Sequence, residues 1–376
     1  MKWSTKIGTF AGIGVYVHAT FFILIAWIGY VHWQAGRSLG GAIAGVAFVL
    51  ALFACVVLHE FGHALTARRY GIKTRDITLL PIGGLARLER MPDNPREELR
   101  VALAGPAVNV VIAAALFVYL QATSTFAPIG TITLVSGSFV ERLMLVNASL
   151  VAFNMLPAFP MDGGRVLRAL LAIRMDYTRA TQIAATIGQG MAFLFGLIGL
   201  FVNPFLLFIA LFVWIGAGQE AAMTQMRTAM GGIPLERAMI TDFRTLAPTD
   251  SLAYAAELLL SGTQQDFPVV DGGALVGILT RGDLVQGLAR QEQRSPVAGV
   301  MRRDFVTADA LDMLDVAFQR LQGHDCRTIP VVRHGRLIGL LTMDNLGEFL
   351  SVQAALGGRR AAGRGETGTV RFGESP

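Results

Sequence analysis

His59-Glu60-Phe61-Gly62-His63 sets two imidazoles four residues apart with a carboxylate between them. On a helix, residues four apart share one face, so both rings can grip one metal ion. Two histidine nitrogens suit zinc, and the glutamate can act as general base toward the attacking water while the metal polarises a peptide carbonyl. A catalytic zinc takes three protein ligands and keeps one position open. The best third candidate is Asp162, in Asn154-Met-Leu-Pro157-Ala-Phe-Pro160-Met-Asp162-Gly-Gly-Arg165. It directly follows an apolar run, in a Pro- and Gly-rich turn that could aim it inward. As an alternative, Asp162 caps the helix that begins at Gly163. The tetrahedral oxyanion of amide hydrolysis needs a donor. Asn109 and Asn154 carry amides suited to that catalytic role, or to tying two helices together.

The elements that must position these residues are membrane helices. The pentapeptide directly follows the uncharged run Ile43–Leu58. Ionisable groups in a membrane helix are expensive and mark function. Of 376 residues, 53% are hydrophobic and only 16% charged, against about a quarter charged in soluble domains. Apolar segments fall at 16–33, 42–66, 101–121, 141–161, 182–201 and 203–221, each long enough for a core of about 30 Å. The expected fold is a polytopic α-helical membrane domain of about six transmembrane helices over residues 1–225. A linker at 226–235 and a soluble α/β module follow, with a disordered tail expected at 354–376.

Lys and Arg concentrate in the head and in 67–100 and 162–181, and are nearly absent from 34–41, 122–140 and 202–203. Counting them alone puts both termini in the cytoplasm of a multi-pass cell-membrane (inner-membrane) protein. The net charge of +5 and pI near 9.5 then report topology, with the lipid bilayer and not nucleic acid as partner. Two cysteines, Cys55 and Cys326, imply no disulfide framework. No cleavable signal peptide is expected, the first apolar run being retained as an anchor.

An internal repeat recurs at an offset of 62 residues. Phe267-Pro-Val-Val270 matches Ile329-Pro-Val-Val332, and Val276-Gly-Ile-Leu-Thr280 matches Ile338-Gly-Leu-Leu-Thr342. Each unit reads as helix, two strands, helix: 251–261 with 281–290, then 313–322 with 343–351. The turns fall at Asp271-Gly-Gly and His334-Gly, and His324 also reads as a solvated turn residue. Two such units stack as a pseudo-symmetric pair.

The membrane motifs together resemble the site-2 protease family of intramembrane zinc metalloproteases. HEFGH resembles its HExxH, Asn154-Met-Leu-Pro157 through Asp162-Gly163 its Asn-x-x-Pro…Asp-Gly, and Ala104-Gly-Pro-Ala-Val-Asn109 the small-residue motif of its third core helix. The resemblance implies one Zn2+ on His59, His63 and Asp162, with Glu60 catalytic. It also implies a single-span membrane protein as substrate, and suggests that 79–89 is a hairpin able to pair with an unwound substrate strand. The repeat resembles a tandem pair of CBS domains, at 236–292 and 297–353. That implies adenine nucleotide (ATP, ADP or AMP) contacts at Thr280, Asp283 and Thr342, and a homodimer formed through the pair. The second copy has Asn345 where the first has Asp283, so one nucleotide per chain is expected. A reading from another class is a CBS-gated membrane transporter or channel. It predicts internal symmetry in the membrane part, which the sequence lacks.

Overall fold

The computed structural model describes residues 3–92, 94–123, 137–290, 293–322 and 326–365. They form two compact units, divided between Gln225 and Met226.

The first unit opens with a hairpin, β1 (Ser4–Phe10) and β2 (Ile13–His18). Ile13, Val15 and Val17 are buried in alternation, the period of a strand with one covered face. The apolar run expected to begin as a helix near residue 16 therefore starts as a strand. Helix α1 (Ala19–Gly36) follows, with His18 Nδ1 accepting the Thr20 amide as its cap. Helix α2 (Leu39–Arg69) is capped by Ser38. Strand β3 (Thr74–Leu80) then returns to lie parallel beside β2, and β4 (Gly83–Leu88) pairs antiparallel with β3. The sheet order is β1-β2-β3-β4, so the hairpin suggested by the 79–89 segment is one edge of a larger sheet.

Helix α3 (Pro95–Ala122) starts at Asn94 with Pro95 in its first turn, where a missing N–H costs nothing. Helix α4 (Phe139–Asn154) begins with a Ser138–Glu141 capping box. Then come α5 (Asp162–Ala172), α6 (Tyr177–Phe201) and α7 (Phe205–Met230). Among the described residues, α2, α3, α6 and α7 are long and apolar enough to cross a membrane. With α1 and α4 as two further apolar helices, this fits the expected layout of a polytopic helical membrane domain followed by an α/β module. Helix α1 has 18 residues because the strand takes part of its run. Helix α4 has 16 and stops at Asn154, because the prolines at 157 and 160 cannot continue a helix. The segment expected as linker begins inside α7.

The second unit carries the repeat. Its first copy holds α8 (Leu252–Ser261), β5 (Phe267–Asp271), β6 (Ala274–Leu279) and α9 (Arg281–Ala289). After a short strand β7 (Ala308–Asp309), the second holds α10 (Leu314–Gln322), β8 (Thr328–Arg333), β9 (Arg336–Thr342) and α11 (Met343–Gly365). Equivalent residues fill equivalent cores: Leu252, Ala255, Val269, Leu279 and Leu284 in one, Leu314, Ala317, Val331, Leu341 and Leu346 in the other. The copies also exchange edges. Ile240 pairs with Leu340 of the second copy, and Arg302 with Ile278 of the first. Leu235 is buried in the second core and Met301 in the first, so neither copy closes its core without the other's leading segment. The backbone of α11 runs to Gly365, further than the tail boundary expected at 354; residues 366–376 and His324 lie outside the described residues.

Candidate metal centre

His59 and His63 lie one turn apart on α2, and Asp162 opens α5. All three side chains are buried. His59 Nε2, His63 Nε2 and Asp162 Oδ2 each lie 3.1 Å from the other two. Among the described residues this is the group of acids, histidines and cysteines that could hold an ion.

The far side of each ring fixes what the near side offers. The Leu143 carbonyl, which can only accept, takes a hydrogen bond from Asn147 Nδ2 at 2.8 Å. Asn147 Oδ1 therefore accepts from Asn109 Nδ2 at 2.8 Å, and Asn109 Oδ1 accepts from His59 Nδ1 at 2.5 Å. His63 Nδ1 donates to the Val101 carbonyl at 2.7 Å. With both Nδ1 atoms protonated, each neutral ring presents an Nε2 lone pair to the centre. Two lone pairs and a carboxylate oxygen facing one another in a buried space repel unless a cation lies among them. The donor set therefore fits zinc, which takes imidazole nitrogen and carboxylate oxygen.

Close backbone packing brings the three elements together. A Cβ on Gly62 would lie 2.6 Å from the Ala104 carbonyl oxygen, which sets α2 and α3 in contact. The turn 155–161 folds back under Asp162: a Cβ on Gly163 would lie 2.2 Å from the Leu156 carbonyl oxygen. Arg168, one and a half turns along α5, anchors this assembly. It is 1% exposed, and its Nε donates to Glu98 Oε1 of α3 at 2.8 Å while Nη1 pairs with Glu220 of α7. Its guanidinium also lies 5.0 Å from the ring centres of Phe159 and Tyr177. The arginine-rich stretch at 162–181 was expected to be a loop that reports topology; Arg168 within it is instead a buried clasp.

Glu60 is half-buried and faces β4, where its Oε2 accepts the Ala86 amide at 3.2 Å. Asn154 is the last residue of α4, half-buried, and its amide has no hydrogen-bond partner among the described residues. Asn109 is fully buried with both ends of its amide engaged. Sequence reasoning missed Asn147, Glu98, Arg168 and Glu220. A polar residue inside an apolar run was the available signal for Asn147.

In the second unit, Thr280 and Thr342 line one cleft of ≈ 720 Å³, with Asp266, Arg302, Arg327 and Asn345. Thr280 caps α9 by accepting the Asp283 amide, and Thr342 accepts the Asn345 amide in the same way. Asp283 is not among the lining residues: its carboxylate accepts from Thr280 Oγ1 and pairs with Arg302 Nε and Nη2, at 2.6 and 3.1 Å. Asn345 Oδ1 is buried without a hydrogen-bond partner among the described residues.

Residues 47–197 match the model of peptidase family M50, and residues 235–290 and 297–351 each match the CBS domain. A zinc metalloprotease of Methanocaldococcus jannaschii is 30% identical over 354 residues, which cover 94% of this chain and 97% of that one. Stage IV sporulation protein FB of Bacillus subtilis is 26% identical over 168 residues, 44% of this chain and 55% of that one. The solved site-2 protease from M. jannaschii is 38% identical and covers 58% of this chain and 95% of that chain, with a TM-score of 0.43. The full-length match to a zinc metalloprotease identifies the chain as a member of the site-2 proteases, peptidase family M50: a zinc metalloendopeptidase that carries a CBS pair.

Proposed function

We propose that the chain cleaves transmembrane segments of single-span membrane proteins, and that His59, His63 and Asp162 hold the zinc. The observation that carries this reading is the convergence of two Nε2 lone pairs and one carboxylate oxygen beside Glu60. Bound zinc would polarise the scissile carbonyl and acidify the attacking water. Glu60 takes the water's proton and returns it to the leaving amine. Asn154, with its amide unengaged at the mouth of α4, donates to the developing oxyanion. Asn109 aims His59, because its own N–H group is held by Asn147. A helical substrate must unwind to expose its carbonyls, and β4 offers an edge on which the freed strand can pair.

The experiment is a comparison of zinc content and cleavage of a single-span test substrate. Glu60→Gln keeps its zinc and loses nearly all turnover; His59→Ala, His63→Ala and Asp162→Ala lose both. Full zinc occupancy in Asp162→Ala removes Asp162 from the ligand set, and wild-type cleavage by Glu60→Gln removes the mechanism.

The second unit is read as an adenine-nucleotide sensor that forms a homodimer through the CBS pair, facing the cytoplasm with both termini. What supports the nucleotide is the cleft in which Thr280 and Thr342 are brought together. Calorimetry of the full chain with ATP, ADP and AMP tests it, with Thr280→Ala and Thr342→Ala expected to weaken binding. A reporter fused after Gln353 tests the orientation.

A further inference from the structure

The general base and the edge strand share a hydrogen bond that a substrate must also want. Strand β4 pairs with β3 on one side only, so alternate backbone groups along its other side have no strand partner. The Ala86 amide is one of these, and it donates to Glu60 Oε2 at 3.2 Å. Two residues earlier on the same edge, Gly84 lies against the same side chain. A Cβ there would stand 2.8 Å from Glu60 Cγ and 3.2 Å from Oε1. The carboxylate is therefore laid along β4, with one oxygen taken up by an amide hydrogen and the other against bare backbone.

A strand that added to β4 would present a carbonyl oxygen to the Ala86 N–H, because that is how sheet edges pair. The carbonyl and Glu60 Oε2 compete for one donor. A segment that remains helical has its carbonyls bonded within the helix and brings nothing to exchange.

We propose that Glu60 and Ala86 form a latch: the base is docked on the edge strand in the free enzyme, and pairing of an unwound substrate with β4 frees it. This rests on the reading that β4 receives the substrate strand. The latch makes proton transfer conditional on unwinding, so an intact membrane helix that drifts against the centre meets a base that is otherwise engaged. It also assigns Gly84 a reason to lack a side chain, since any Cβ would push Glu60 off the strand.

The opposing account is that the Ala86 amide holds Glu60 in its working position, and the two accounts predict opposite signs. Two variants remove the N–H: Ala86→Pro, at an edge position where proline is tolerated, and a backbone ester made with the α-hydroxy analogue of alanine at residue 86. Two substrates are used, a single-span protein and a short blocked peptide that cannot pair along β4. The latch requires kcat for the short peptide to rise about tenfold, ~1.4 kcal/mol in barrier, with zinc content unchanged. A short-peptide kcat that is unchanged or lower overturns the latch. KM for the single-span substrate should rise severalfold in the same variants, since one strand-pairing bond is lost. An unchanged KM overturns strand addition to β4 instead, so the two failures are read from different numbers. If the proline variant loses zinc, the ester alone decides.

Discussion

Gly105 of α3 faces His63 of α2 with no space for one added carbon: a Cβ would lie 2.2 Å from His63 Nε2 and 2.6 Å from His59 Nε2. The α3 backbone thus forms one wall of the candidate metal centre. Gly105→Ala is expected to leave less than about a tenth of the zinc and activity, because the methyl group occupies the ligands' own space. Zinc per chain after gel filtration checks it; near-full occupancy would mean that α3 can move away.

Asn147 contacts no ligand, yet it sets the direction of the hydrogen bonds that fix the His59 tautomer. Asn147→Leu keeps the volume and removes the amide. Metal affinity should fall roughly 10–100-fold, the usual effect of losing a partner behind a ligand. Competition with a chromogenic chelator measures it, and affinity equal to wild type would show that Asn109 orients His59 unaided.

Arg168→Met leaves Glu98 and Glu220 without their cation. Stripping one partner from a buried ionic group costs about 3–5 kcal/mol, read as a shift in denaturation in detergent. The pair Arg168→Met with Glu98→Gln should recover part of the loss, since no isolated charge then stays buried at Glu98. A double variant less stable than the single would contradict this.

Cys326 is buried and its Sγ donates to the Thr328 carbonyl at 3.3 Å. Burial pushes its thiol pKa above the ordinary cysteine value, because desolvation disfavours the thiolate. It stays protonated through neutral pH, and its reactivity should increase only as pH rises toward that raised value. Maleimide labelling of the native protein at neutral pH should be slow and become fast on unfolding. Rapid labelling of folded protein would place the sulfur at the surface.

The grouping of His59, His63 and Asp162 was legible because these residues carry rare chemistry at helical spacing and in one Pro- and Gly-rich turn. The repeat was legible because Val269 and Val331, or Leu279 and Leu341, do the same packing at the same offset. What surrounds the centre was not. Asn109 and Asn147 are 38 residues apart, and Glu98 and Arg168 are 70 apart; no local pattern links them. The strand Ile13–His18 was hidden because it runs without a break into an apolar helix, so the period changes inside one hydrophobic stretch. The helix beyond residue 353 was hidden by its glycines, although the alanines and arginines among them favour helix.

The length of α2 fixes how deep the chemistry lies. From Leu39 to Leu58 the helix carries no charge, a stretch of about twenty residues, or roughly 30 Å, equal to the hydrocarbon thickness of a bilayer. His59 is the next residue. His59 and His63 therefore follow the uncharged stretch of α2, toward the end that carries Arg68 and Arg69. That position predicts cleavage toward one end of a substrate's span and not at its middle, and mapping the cut site in a single-span test substrate checks it.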